Sequence, residues 1–235
     1  MDIKETKKFT DKVDGWLSDK EGELLFDLAK NCTGKGVIVE IGSWKGKSTI
    51  WLGNGSKSGN KIMIYAIDPH TGFPEIKKKV GEIYTFEEFK NNIKNANIDD
   101  IVVPIKKTSK EAADNFIEPI ELIFIDGIHE YEHIRMDFEA WFPKVIDGGT
   151  MAFHDTVLLS GPRKIMSKFV YRSRFFKNVK FIDSITYCKK VNQNFLSDKI
   201  KNRFILLIKN VYGLFLIIHI PKKILITLEK LVKII

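Results

Sequence analysis

Four residues in the second half of the chain carry side chains that can act together: Asp126, His129, His154 and Asp155. Asp126 follows the apolar run Ile120-Glu-Leu-Ile-Phe-Ile125, and His154-Asp155 follows Thr150-Met-Ala-Phe153. Each run reads as a buried strand bounded by turn residues, which puts the acids at strand ends. Hard carboxylate oxygens on two neighbouring strands suit Mg²⁺, which keeps some of its waters and borrows substrate oxygens. A cation held there would bind a substrate hydroxyl and lower its pKa. His129 lies three residues after Asp126, and an imidazole with an ordinary pKa of about 6.5 suits proton removal at neutral pH. Taken alone, a strand-end Asp is usually a turn or cap residue, and a lone His is often a helix-start residue bonded to backbone. The clustering of several such groups on one rim is what argues for chemistry.

A second constellation lies upstream, in Val37-Ile-Val-Glu-Ile-Gly-Ser-Trp-Lys-Gly-Lys-Ser48. A β-branched run ends in glycines and leads into a helical pattern. Glycines at such a turn let backbone approach a ligand, and the N–H groups of the helix start face it. The spacing Gly42-x-x-x-Gly46 fails the dinucleotide fingerprint G-x-G-x-x-G. It falls one residue short of the phosphate loop, although Lys47-Ser48 follows in the right place. The third pattern, Glu40-Ile-Gly42-Ser-Trp-Lys-Gly46, resembles motif I of the class I S-adenosylmethionine (SAM) methyltransferases. In that family the strand-end acid faces the cationic methionine half of the cofactor. A second acid, capping the next strand, would hold the ribose hydroxyls. Lys61-Ile-Met-Ile-Tyr-Ala-Ile-Asp68 supplies it.

The resemblance sharpens downstream. Asp126-Gly-Ile-His129-Glu-Tyr131, Asp137, Trp141, Gly148-Gly149 and His154-Asp155 are similar to the pattern of SAM-dependent O-methyltransferases. This group includes the macrolide-sugar enzymes of the mycinamicin and tylosin type and many from glycan loci, with wider kinship to catechol O-methyltransferase. The entry Gly15-Trp-Leu-Ser18 agrees, and the likeness covers about residues 13–192. It implies SAM as cofactor, with contacts at Glu40, Gly42, Ser43, Gly46, Ser48, Asp68, Ser109 and Asp126, Ser109 lying beside the adenine. It also implies His129 as general base and Mg²⁺ on Asp126 and Asp155, with Asp126 serving the chemistry directly. Where the family has an acidic pair, this chain has His154-Asp155. His154 is then a nitrogen ligand, shifting preference towards Mn²⁺, or a contact to substrate or to the ligands, or the site needs no metal.

These residues need a scaffold. Ser18 and Glu21 form a capping box for a helix bearing Leu24, Leu25, Leu28 and Ala29. Residues 1–13 read as a solvated lead-in. Phe86 to Ile98, Lys110 to Phe116, Tyr131 to Phe142 and Ile165 to Tyr171 read as helices between strands; Ile101 to Ser109 is a third strand. Pro143 and Gly148-Gly149 separate the helix at 131–142 from the strand at Thr150. Lys177 to Ile185 and Thr186 to Val191 pair as closing strands. The alternation predicts an α/β fold, a doubly wound, mostly parallel, Rossmann-like seven-stranded sheet with an antiparallel edge and a C-terminal helical extension. Pro69 to Pro74 and Lys77 to Lys79 read as a loop of the kind that covers a site.

The 235 residues are 44% apolar, enough for one α/β domain with something to spare. Two cysteines, Cys32 and Cys188, exclude a disulfide framework. The charged N-terminus has no apolar core of a signal peptide, so the cytoplasm is the expected compartment. The net charge of +8 is uneven: residues 193–235 carry +6 and residues 1–192 only +2. That argues against a nucleic-acid partner for the domain at 1–192. The tail at 193–235 combines apolar runs with Lys222, Lys223, Lys230 and Lys233. Basic amphipathic helices of this sort lie on anionic membranes, which would make the protein peripheral on the inner face. The alternative is a helical pair packed on the domain or on a second subunit of a homo-oligomer. The expected reaction is methyl transfer to a hydroxyl of a sugar, on a small-molecule, lipid-linked or polymeric acceptor. A catechol-like phenol methyltransferase, a phosphate-loop nucleotide binder and a non-catalytic membrane adaptor are the rivals.

Overall fold

Five apolar runs lie side by side as parallel strands: β1 (Val37–Ile41), β2 (Ile64–Ile67), β3 (Val102–Ile105), β4 (Ile120–Ile125) and β5 (Val145–Phe153). The computed structural model describes residues 1–72 and 81–235. The expected covering loop falls, from residue 73 onward, outside the described residues. Two more strands, β6 (Phe176–Ile182) and β7 (Ile185–Lys190), complete a seven-stranded sheet of order β3-β2-β1-β4-β5-β7-β6. Here β7 runs antiparallel between β5 and β6. The chain winds outward from β1 to β3, then returns to lay β4 against the other side of β1. The crevice beyond β1 and β4 is therefore the topological switch point, where ligands bind in sheets of this kind.

Side chains along each central strand alternate between two cores. Ile38, Leu122, Phe124 and Ala152 face one; Val39, Ile41, Ile123, Ile125, Met151 and Phe153 face the other. The first core is closed by α2 (Asp19–Lys30), α3 (Lys47–Ser58) and α4 (Phe86–Asn95). The second is closed by α5 (Ser109–Asn115), α6 (Tyr131–Trp141) and α7 (Ser160–Ile165), which widens into a π-helical turn over Met166–Tyr171. The capping box at Ser18 and Glu21 forms as expected. Gly22 lets α2 close on α3, because a Cβ there would lie 2.3 Å from the buried Trp51 ring.

Three expectations change. The third strand ends at Ile105, and Ser109 opens α5 rather than closing that strand, because Thr108 and Glu111 form a capping box. The lead-in is a helix, α1 (Ile3–Thr10), with its own capping box from Asp2 and Glu5. Its buried residues are Thr6 and Thr10, so no apolar stripe announces it. Gly148 and Gly149 lie inside β5 rather than before it. Gly148 at φ +77° allows the irregularity by which Ile120 pairs with Val145 but Leu122 with Thr150.

The tail forms α8 (Leu196–Ile217) and α9 (Lys222–Ile234). The inner face of α8 buries Ile205, Leu206, Ile208 and Tyr212. Lys209 is buried too, its Nζ donating to the Thr156 carbonyl at 2.9 Å and to Thr186 Oγ1 at 3.3 Å. Burial, aided by the Arg163 charge, pushes the Lys209 ammonium down to about 7. On α9, Glu229 accepts from Lys20 of α2 at 2.8 Å and from the Tyr212 hydroxyl at 3.0 Å. Among the described residues, no helix is long and apolar enough to cross a membrane.

Candidate active site

The turn after β1 is built on Gly42 and Gly46, at φ +88° and +92°. These are left-handed values that other residues adopt at a cost. A Cβ on Gly42 would lie 2.1 Å from the Asp126 carbonyl oxygen, so only glycine lets the tips of β1 and β4 approach this closely. Gly46 precedes α3, whose first turn receives no side-chain cap. Its N–H groups are suited to a ligand.

Glu40 lies at the end of β1 with no exposed surface. Its Oε2 accepts from Thr49 Oγ1 of α3, while Oε1 is buried without a hydrogen-bond partner among the described residues. Burial pushes the carboxyl up to about 7; the Ser48 and Thr49 hydroxyls pull it down, and the Asp126 and Asp68 charges push it further up. Ser43 Oγ is likewise buried and has no hydrogen-bond partner among the described residues. Asp68, at the end of β2, accepts from Trp44 N at 2.8 Å and His70 N at 2.6 Å, fastening the turn after β1 to the turn after β2. Ser109 stands farther out on the rim as the first residue of α5. Its Oγ accepts from the buried Trp141 Nε1 at 2.9 Å, so the hydroxyl expected beside the adenine is engaged by the core.

Across the crevice, β4 and β5 carry the second group. Asp126 Oδ1 lies 3.0 Å from His154 Nδ1 and 4.0 Å from His129 Nε2. Asp155 Oδ2 lies 3.3 Å from His129 Nε2 and 3.5 Å from His154 Nδ1. His154 Nε2 points the other way, 3.4 Å from Glu21 Oε2. Glu21 is itself held by Ser184 N, Ser184 Oγ and Ser18 N. Burial works against ionisation of Asp126, yet the His154 and His129 imidazoles outweigh it and hold the carboxyl down at about 2. The His154 ring is buried, which would lower its pKa, but Asp126, Asp155 and Glu21 together raise it well above the usual imidazole range. His129 is raised by its bond to Asp126, against partial burial.

Asp126, His154 and Asp155 offer one nitrogen and two oxygens within 4.8 Å of one another, a set able to hold a cation. The donor set fits: Nδ1 can give its lone pair to a metal while Nε2–H is fixed by Glu21, the usual carboxylate support of a ligating imidazole. Three contributors escaped the sequence reading. Glu21 showed only its local capping role, and Thr49 and Ser184 gave no signal, because each reaches the site through the fold.

Thus Glu40, Gly42, Ser43, Gly46, Ser48 and Asp68 gather on the β1–β2 side, and Asp126, His129, His154 and Asp155 on the β4–β5 side. Known proteins share this frame. The O-methyltransferase NovP superposes with a TM-score of 0.65 over 74% of this chain and 81% of its own, at 17% identity. The O-methyltransferase TomG from Streptomyces achromogenes, solved with SAM, gives 0.56 over 81% and 88%, at 16% identity. Protein y4gI of Sinorhizobium fredii is 38% identical over 53 residues, 22% of this chain. Protein R132 of Acanthamoeba polyphaga mimivirus is 27% identical over 117 residues, 50% of this chain. The matched stretch spans only 6% of the first relative and 50% of the second. Residues 39–156, half of the chain and the part that carries both sides of the crevice, match the model described as a methyltransferase domain, and the chain belongs to that family.

Proposed function

We propose that this protein is an O-methyltransferase that moves the methyl group of SAM to a hydroxyl of a sugar in a glycan or glycolipid precursor. The observation that carries the reading is the pairing of unlike acids across one crevice. Buried Glu40 keeps an oxygen unpartnered, whereas Asp126 and Asp155 face the His129 imidazole. SAM supplies an electrophilic methyl on a sulfonium. Glu40 would take its ammonium, Asp68 its ribose hydroxyls, and the Gly42–Gly46 turn would let backbone approach it. The names of NovP and TomG as O-methyltransferases support a hydroxyl acceptor.

His129 Nε2 would accept the proton of the acceptor hydroxyl. The oxygen then forms the new O–CH₃ bond as the S–CH₃ bond breaks, and its electron pair stays on sulfur. Asp126 and Asp155 stabilise the imidazolium that results. A divalent cation, if bound by Asp126, His154 and Asp155, would supply Lewis acidity to the acceptor hydroxyl. The nitrogen donor favours Mn²⁺ over Mg²⁺.

The test is a transfer assay over sugar and phenol acceptors, with and without chelator. Labelled methyl on a sugar hydroxyl is the expected result, and restoration by Mn²⁺ after chelation would assign the cation. Transfer to phenols alone would replace the sugar reading with a catechol-like one. No transfer beside tight SAM binding would indicate an adaptor.

A further inference from the structure

Among the described residues, only one side of α8 is covered. Leu196, Ile200, Leu207, Leu214 and Ile218 follow one another at spacings of four, seven, seven and four residues, one stripe on a helix. All five are exposed, from 53% to 72%. Monomeric proteins rarely leave so continuous an apolar strip in water. Its ionic surroundings are mainly positive: the one acid of α8, Asp198, is half-buried and accepts from the Phe195 N–H. Lys201 and Arg203 on α8 and Lys222, Lys223, Lys230 and Lys233 on α9 are exposed, while the acid Glu229 is buried inward.

Beside the stripe an open groove of about 480 Å³ is lined by Arg172, Arg203, Leu206, Leu207 and Asn210. Among the described residues neither arginine has a carboxylate within ion-pair distance. Two unpaired guanidinium groups over leucine walls suit a phosphate attached to an apolar chain, since guanidinium meets phosphate oxygens through two N–H donors.

We propose that the outer face of α8 lies on an anionic phospholipid surface, with a headgroup phosphate between Arg172 and Arg203. The stripe would enter the headgroup boundary and the lysines would meet the surface charge, as amphipathic interfacial helices do. The inner face links this surface to the crevice. Lys209 donates to the Thr156 carbonyl directly after Asp155, and a Cβ at Gly213 would meet Val157 at 3.2 Å. The two residues after Val157, Leu158 and Leu159, are exposed at 53% and 39%. An enzyme seated this way has the loop beside its catalytic acids near the membrane plane. This seating does not depend on the sugar reading.

The test is co-sedimentation of the full chain with phosphatidylcholine vesicles and with vesicles that also contain phosphatidylglycerol. Wild type should pellet with the anionic vesicles, lose binding as salt rises, and stay in the supernatant with the neutral ones. Arg172→Glu with Arg203→Glu should lower the partition coefficient at least about tenfold, given the roughly fivefold contribution of each basic residue near such a surface. Leu207→Asp with Leu214→Asp should abolish binding. All four positions are exposed and outside the catalytic groups, so transfer to a soluble acceptor should persist in both variants. Wild type left in the supernatant, or variants that pellet like wild type, would overturn the proposal. So would a wild-type dimer in light scattering that the leucine variant dissolves without any vesicle binding.

Discussion

Two carboxyl groups at the tips of adjacent strands have opposite fates. Glu40 on β1 and Asp126 on β4 belong to paired strands, and Gly42 brings the strand tips together. Glu40 is buried among hydroxyls and other acids and is held up at about 7. Asp126 is only partly buried, its side chain 23% exposed, and two imidazoles bring it down to about 2. The difference shows how the crevice divides its work. Among the described residues no cation pairs with Glu40, so the β1 side is fitted to receive one from a ligand. The β4–β5 side carries its own cation on His154, and neutral His129 beside it is fitted to receive a proton.

Breaking the β4–β5 side should have the largest effect. Asp126→Asn removes one of the two carboxylates that both imidazoles share, and transfer should fall by about a thousandfold, in the upper range for groups that act on a proton in flight. The measurement is single-turnover transfer, with circular dichroism to confirm the fold. His129→Ala removes the base alone. A loss of about a hundredfold in kcat, with KM for SAM unchanged, is expected.

Breaking the β1 side should act on binding instead. Glu40→Gln should raise the Kd for SAM about tenfold, the size of one charge-assisted hydrogen bond. The wild-type acid is protonated below about pH 7 in the free protein and ionises when it meets an ammonium. Binding at pH 6 should therefore release a proton, and affinity should rise with pH up to about 7 and then level off. Calorimetry in buffers of different ionisation heat reads this release, and Glu40→Gln should show none from this group.

The smallest effect on catalysis is expected at Lys209, whose test sharpens the contrast from outside the crevice. Its folded pKa of about 7 lies below the unfolded value of 10.5. Between these values the unfolded chain binds more protons than the folded one, so rising pH favours the folded state. Relative to Lys209→Met, the wild type should gain on the order of a few kcal/mol between pH 7 and 10, read from Tm across that range.

The sequence made the β1–β2 side legible because its signals are local. A β-branched run, two glycines and a strand-end acid fall within a few residues, and Asp68 repeats the pattern one strand later. The doubly wound, mostly parallel sheet followed from alternation, and its antiparallel edge from two adjoining strands; the order of the strands did not. What stayed hidden is long-range or polar. Glu21 meets His154 across 133 residues of sequence, a contact that no period or motif encodes. α1 buries threonines rather than an apolar stripe. Gly148 and Gly149 read as breakers because glycine usually ends an element, whereas here they shape an irregularity inside β5. In sequence Lys209 merely breaks the apolar run Phe204 to Ile220, and its burial shows only once α8 lies against Thr156 and Thr186.

The most direct measurement is SAM binding by calorimetry set beside methyl transfer, in Glu40→Gln and His129→Ala. The division of labour predicts weakened SAM binding in the first, and full SAM binding with lost transfer in the second. If His129→Ala kept full transfer, or if both variants lost SAM equally, the two sides of the crevice would not be separate sites for donor and proton.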